Sequence, residues 1–125
     1  MVRWIALVLV LVPATASAGF MNKKSDWDQL DAFSKDGYVM GVFDQVETQY
    51  TDLDMLNKYS TDLRNCVFDL ELLSTHLVEI VENEYRELSN WDKPPKVVLS
   101  MGLRKVCLVH MNRARATRGD ELLEP

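Results

Sequence analysis

The stretch that decides the fold is CVFDLELLSTHLVEIVENEYRELSNWDKPPKVVLSMGLRKVC, residues 66–107, which is bounded by the two cysteines of the chain. In its first half, glutamates separate apolar side chains that recur at steps of three and four residues, the period of one helical face. These apolar residues are Leu70, Leu73, Leu77, Ile80, Val81, Tyr85 and Leu88. The pattern predicts an amphipathic helix capped by Asp69.

A second apolar run, VVLSMGLRKVCLVHM at residues 97–111, follows the turn SNWDKPP and predicts a buried closing helix. Asp92 is a candidate cap for this helix, and Pro94 and Pro95 suit a first turn, where a missing N–H costs no hydrogen bond. Two helices with so short a connection are expected to lie antiparallel, with the cysteines at the open end of the hairpin. The predicted fold is an all-α, single-domain bundle of about four to five helices.

The first eighteen residues, MVRWIALVLVLVPATASA, have the three parts of a secretory signal: Arg3, a short apolar core and small residues up to Ala18. The apolar run is shorter than the roughly 20 residues that span a bilayer. We therefore expect a cleaved signal peptide at 1–18 and export to the periplasm with no stable membrane anchor; the alternative is a retained N-terminal anchor. Residues 19–111 are expected to form the helical domain, and 112–125 a tail without fixed structure.

Export places both thiols in an oxidising compartment, where a lone pair of cysteines usually joins. Cys66 and Cys107 are 107 − 66 = 41 residues apart, too far for a thioredoxin-type active-site pair. We therefore predict a structural disulfide, which by loop entropy contributes roughly 4 kcal/mol to stability.

Net charge and the absence of known motifs argue against several classes of function. The formal net charge of −5 argues against a nucleic-acid partner, because phosphates require a basic face. The histidines, His76 and His110, have no second histidine or cysteine at metal-ligand spacing, and the chain has neither a G-x-S-x-G turn nor a phosphate-binding glycine loop. No enzyme, metal site or cofactor is expected.

Two features leave alternatives open. Gly37 and Gly41 are four residues apart on a helical pattern, which indicates either close packing against another helix or a cap at Gly37. Trp91, at the tip of the predicted hairpin, is either a binding anchor or a side chain folded back on its own hairpin.

Three short elements follow one another along the chain. The first is GYVMGVFD at residues 37–44, and the second is a cysteine before a helix with a leucine and valine face. The third is a short proline turn leading to a helix that ends in cysteine. In this order and spacing the chain resembles the Rap/Tai-type immunity proteins of type VI secretion systems, over roughly residues 28–107. The resemblance implies an exported helical protein, often a homodimer, that binds a peptidoglycan amidase effector in the periplasm and sterically blocks its active-site groove. On this chain the predicted inserting surface is the hairpin tip, made of Glu84, Glu87, Asn90, Trp91, Asp92 and Lys93.

Two other functions compete with this one. The chain is similar in size and disulfide content to HdeA-like acid-stress chaperones, which loosen at low pH when carboxylates are protonated. It is also compatible with an envelope-associated helical binding protein that has no toxin partner.

Overall fold

The structure is a computed structural model that describes residues 20–48 and 53–125. Within these ranges the chain is all helical, and no strand is formed. The helices are α1 Lys24–Asp28, α2 Ala32–Thr48, α3 Asp54–Asp69, α4 Ser74–Glu84 and α5 Pro95–Arg118, with a 3-10 turn at Leu88–Asn90. The predicted all-α, single-domain bundle is confirmed, while the predicted signal peptide, 1–18, lies outside the described residues.

The predicted hairpin is present as α4 and α5, and α5 also packs along α3 while α2 packs on α4. Apolar side chains from all five helices form one core. Its buried members are Trp27, Val39, Phe43, Leu63, Cys66, Val67, Leu77, Val81, Tyr85, Val98, Leu99, Leu103, Cys107 and Met111. The α5 helix makes the most extensive contacts in the bundle, above all with α4 and α3, and is therefore its central element.

The predicted disulfide is confirmed, with both sulfurs fully buried and the Cα atoms of Cys66 and Cys107 5.8 Å apart. Its position differs from the prediction. Cys66 lies within α3 and Cys107 in the middle of α5, so the bond joins a third helix to the hairpin and does not close the hairpin's open end.

The turn between α3 and α4 explains this difference. Asp69, predicted to cap the long helix, is instead the last residue of α3, and the next helix begins only at Ser74. Between them Glu71 adopts a left-handed conformation with φ of 51°, and the N–H of Leu72 donates to the carbonyl of Val67 at 2.9 Å. A left-handed residue cannot continue a right-handed helix, so the apolar period runs across a real break in the chain.

The α2 helix runs unbroken through both predicted packing glycines. Asp31 caps its start, since its Oδ1 accepts the N–H of Ser34 at 2.7 Å, and this bond holds the pKa of the Asp31 carboxyl below its usual range. Gly37 and Gly41 are exposed, and a Cβ at either position would meet nothing within 4 Å. Both proposed roles, close packing at the pair and capping at Gly37, are therefore wrong.

The close helix contact is made by Gly102 instead. A Cβ on this buried α5 residue would overlap the Cγ2 methyl of Ile80 on α4. The absence of a side chain at Gly102 lets the two backbones of the hairpin approach, because no Cβ stands between them. Its sequence signal is that it is the only glycine in the run at residues 97–111.

The final segment also differs from the prediction. Residues 112–118, assigned to a tail without fixed structure, continue α5 to Arg118, and Gly119 ends the helix in the left-handed conformation with φ of 76°. Beyond it, Leu123 folds back and its main chain pairs with the Asn112 amide. The prediction of a tail without fixed structure is wrong because polar residues here make long-range contacts that composition does not indicate. One of them is the bidentate ion pair between Arg118 and the buried carboxylate of Asp62, at 2.7 and 2.8 Å.

Candidate functional site

The hairpin tip is the segment between the end of α4 at Glu84 and the start of α5 at Pro95. Two prolines determine where the chain leaves the tip and enters α5. Pro94 has an extended conformation, and Pro95 takes the first helical position, where no N–H is needed. Asp92, predicted as the cap, lies exposed before this boundary and is not the capping residue.

Asn90 holds the tip from inside. It is 3% exposed, and its Nδ2 donates to the carbonyl of Glu84 at 2.8 Å, which satisfies a carbonyl at the end of α4. Its Oδ1 accepts a hydrogen bond from the ammonium of Lys93 at 2.6 Å. Two predicted contact residues, Asn90 and Lys93, are therefore engaged in shaping the tip.

Tyr85 links the two sides of the tip. Its ring is buried and its hydroxyl donates to the carbonyl of Lys93 at 2.8 Å. Burial raises the pKa of the Tyr85 phenol well above its ordinary value, with the nearby Tyr38 and acidic side chains acting in the same direction. The phenol therefore keeps its proton and this donor at neutral pH.

Trp91 is folded back on its own hairpin at one edge and exposed at the other. The indole Nε1 donates to the carbonyl of Tyr85 at 2.8 Å, so one edge is folded back on the hairpin, yet 47% of the residue is exposed. The N–H of Lys24 donates to the Trp91 carbonyl at 2.9 Å, and the Lys24 ammonium lies 5.4 Å from the ring centroid. The result is an aromatic surface held in one orientation.

The acidic predicted residues divide into two kinds. Glu84 is bound by the Lys105 ammonium, at 2.7 and 2.8 Å, which ties the end of α4 to α5. Glu87 and Asp92 are exposed on either side of Trp91 in the chain. The outward surface of the tip thus combines two large apolar groups, the Trp91 indole and the 72% exposed Leu88, with exposed charges of both signs at Arg86, Glu87 and Asp92.

The N-terminal segment adds residues that the sequence did not point to. A surface cavity of about 470 Å³ lies beside the tip and is lined by Phe20, Met21, Asn22, Tyr38, Pro94 and Lys96. Phe20 is almost fully exposed at its edge. The sequence around Lys24 and Phe20 does not indicate that these residues lie beside the tip, because the contact between residue 24 and residue 91 depends on the tertiary fold.

The two histidines have structural partners. His76 accepts the N–H of Leu73 through Nδ1 at 2.9 Å at the start of α4, and His110 Nε2 lies 2.8 Å from the Asp69 carboxylate. In residues 20–48 and 53–125, no group of three or more histidine, cysteine, aspartate or glutamate side chains could hold a metal ion. Over the same ranges no helix is both long and apolar enough to cross a bilayer.

Comparison with known proteins adds no relative: no family model, no curated protein and no solved structure matches the chain. What the structure itself defines is a disulfide-tied, all-α protein whose helical hairpin carries a preorganised aromatic tip.

Proposed function

We propose that the protein is an exported immunity protein that binds a peptidoglycan amidase effector of a type VI secretion system and blocks its active-site groove with the hairpin tip. The observation that carries the proposal is the half-exposed Trp91, fixed through its own indole and main-chain hydrogen bonds. The order of sequence elements that resembles the Rap/Tai-type proteins supports the same function.

Preorganisation is the physical reason that such a tip suits inhibition. A loop that is ordered before binding loses little conformational entropy when it enters a groove, so more of the contact energy appears as affinity. Here Asn90, Tyr85 and the Trp91 indole fix the tip from within. Occlusion requires only this shape and no reacting group on the inhibitor. The surface carboxylates of Glu87 and Asp92 would speed encounter with a basic groove rim.

The test is inhibition of peptidoglycan cleavage by an amidase encoded beside this protein. We expect the wild type to inhibit at one protein per enzyme and Trp91→Ala to weaken inhibition at least about tenfold, the size of a hot-spot loss of about 1.4 kcal/mol or more. Trp91→Phe keeps an aromatic ring while removing the Nε1 donor. Phe33→Ala is the matched control, because Phe33 is an 87% exposed aromatic outside the tip.

Cells lacking this protein should also be killed by sibling cells that deliver the amidase, and should survive when the gene is restored. Unharmed deletion strains together with an uninhibited amidase would remove the immunity function.

An acid-triggered chaperone is the second candidate, and one observation favours it. The end of α5 is fastened by carboxylates, since Arg118 binds both the buried Asp62 and the neighbouring Asp120. Protonation of the Asp120 carboxylate would weaken its ion pair with Arg118 and so loosen the end of the helix. Suppression of client aggregation at about pH 2–3, with none at neutral pH, is the expected behaviour of such a chaperone. A protein that is inert in both conditions is not one.

A further inference from the structure

We propose that the face of α5 that carries Arg104, Asn112 and Arg115 is a groove for an extended acidic segment of a partner protein, which residues 120–125 of the chain itself occupy in this structure. The inference goes beyond the proposed function, because this face is distinct from the hairpin tip. We call it the α5 groove.

Recognition in the α5 groove is made through the main chain of the bound segment. Asn112 pairs with the peptide group of Leu123 on both sides: its Nδ2 donates to the carbonyl at 2.9 Å, and its Oδ1 accepts the N–H at 2.7 Å. Arg115 Nε donates to the carbonyl of Glu121, and Arg104 Nη2 to that of Glu124 at 2.6 Å. These contacts use atoms that any extended peptide offers.

The direction of the segment is set by these contacts. As the segment proceeds from residue 121 to residue 124, its partners move back along the helix from Arg115 through Asn112 to Arg104. The segment therefore runs antiparallel to α5. Gly119 makes this reversal possible, because its left-handed conformation is one that side chains rarely adopt.

Charge selects what the groove accepts. The groove itself carries two arginines, Arg104 and Arg115, whereas Lys105 binds Glu84 of α4 and Arg118 binds the buried Asp62. The segment bound to it carries Asp120, Glu121 and Glu124. An acidic peptide is thus the complement of this helix face.

The groove continues past the bound segment. A surface cavity of about 460 Å³ lies beside Pro125 and is lined by Met101, Arg104, Lys105 and Leu108. A partner segment that filled this cavity would add apolar contacts to Met101 and Leu108, and these contacts would favour it over the segment already present.

The Asn112 amide distinguishes a peptide group from a phosphate group. Its paired donor and acceptor match the N–H and C=O of a single residue, whereas a phosphate offers only acceptors. Basic side chains alone do not make that distinction.

The test uses the full chain and a fluorescein-labelled peptide, GDELLEP, identical to residues 119–125. Leu123→Pro removes the N–H that Asn112 accepts and so opens the groove. We expect this variant to bind the peptide at least about tenfold more tightly than the wild type, whose own segment competes. Adding Asn112→Ala to Leu123→Pro should reduce that binding at least about tenfold. Equal binding by wild type and Leu123→Pro, or no effect of Asn112→Ala, overturns the proposal.

The requirement for acidic side chains is tested with a second peptide, GNQLLQP, in which each acid is replaced by its amide. It should bind the Leu123→Pro variant about tenfold more weakly than GDELLEP at low salt, and the difference should shrink as salt rises. Equal binding of the two peptides contradicts the requirement for acid. An oligodeoxythymidine that competes as well as GDELLEP contradicts recognition of a peptide.

A measurement on the wild type keeps the proposal testable if Leu123→Pro fails to fold. Excess unlabelled GDELLEP should accelerate hydrogen exchange at the Leu123 N–H, because the free peptide displaces the chain's own segment, while GNQLLQP should do so less. No acceleration at millimolar peptide overturns the proposal. None of these readouts involves an amidase, so failure here leaves the proposed immunity function standing, and the reverse also holds.

Discussion

At the scale of single residues, two glycines show how position decides the effect of a missing side chain. Gly102→Ala places a methyl group against Ile80, whose β-branched side chain has little rotamer freedom, and against the Glu84 chain. We expect a loss of roughly 1–3 kcal/mol in the free energy of unfolding, measured by urea denaturation. Gly41→Ala is the matched control, since a Cβ there meets open space on a helix, and should stabilise by about 0.5–1 kcal/mol. Equal effects of the two substitutions would contradict the packing described here.

Asp120 gives the chain a pH dependence whose sign follows from its neighbours. The Arg118 guanidinium, by its hydrogen bond, and the charges of Lys58, Arg118 and Arg115 hold the pKa of the Asp120 carboxyl below its ordinary value of 3.8. Its contribution to stability is therefore fully present above about pH 4 and is lost as pH falls through the lowered pKa.

We expect the stability difference between the wild type and Asp120→Asn, measured by urea denaturation at a series of pH values, to be constant at neutral pH. It should shrink below about pH 3.8, where the wild-type carboxylate takes up a proton. A difference that grows on acidification would show that Asp120 has a raised pKa and that the ion pair with Arg118 is wrongly described.

At the scale of elements, the disulfide has a role that its position in the sequence did not reveal. It joins α3 to the middle of α5, so it ties the helix directly before the hairpin to the hairpin. Replacing both Cys66 and Cys107 by alanine should lower the free energy of unfolding by about 2–5 kcal/mol, chiefly by freeing the unfolded chain. Urea denaturation of the reduced wild type provides the control and should give a similar loss. An oxidised wild type no more stable than either form would contradict a stabilising bond.

The elements also show which parts of the fold were readable from the sequence. The α4–α5 hairpin was predicted because an apolar period, two prolines and a second apolar run are all local features. The break before α4 was not predicted, because it depends on Glu71 in a left-handed conformation. Glycine or asparagine at this position would have indicated such a conformation, whereas glutamate does not. The end of α5 was missed for a related reason: polar residues such as Asn112 are ordered by partners far along the chain.

The hairpin tip was predicted in place but not in detail. A tryptophan in an exposed turn is a local signal, so Trp91 could be selected from the sequence. That Asn90 and Lys93 face inward, and that the Lys24 segment lies against the tip, follows from tertiary contacts. A pattern along the chain therefore locates a candidate surface, while the side chains that present it are distinguished only by the fold.

At the scale of the whole molecule, the charges are not evenly spread. The α5 helix contains basic residues and no acidic one, while the tip exposes Glu87 and Asp92 together with Arg86. The two proposals place one binding surface at the tip and another on α5. Lys105 links these surfaces, because its ammonium binds Glu84 and its side chain lines the cavity beside the α5 groove.

The central claim is that the hairpin tip is the surface that enters the amidase. Hydrogen–deuterium exchange of the full protein, alone and with a stoichiometric amount of an amidase that it inhibits, tests this directly. We predict slowed exchange in residues 84–93, with the protection lost in the Trp91→Ala variant and kept in Phe33→Ala. A stable complex in which residues 84–93 exchange as in the free protein, with protection confined to other helices, would contradict the account.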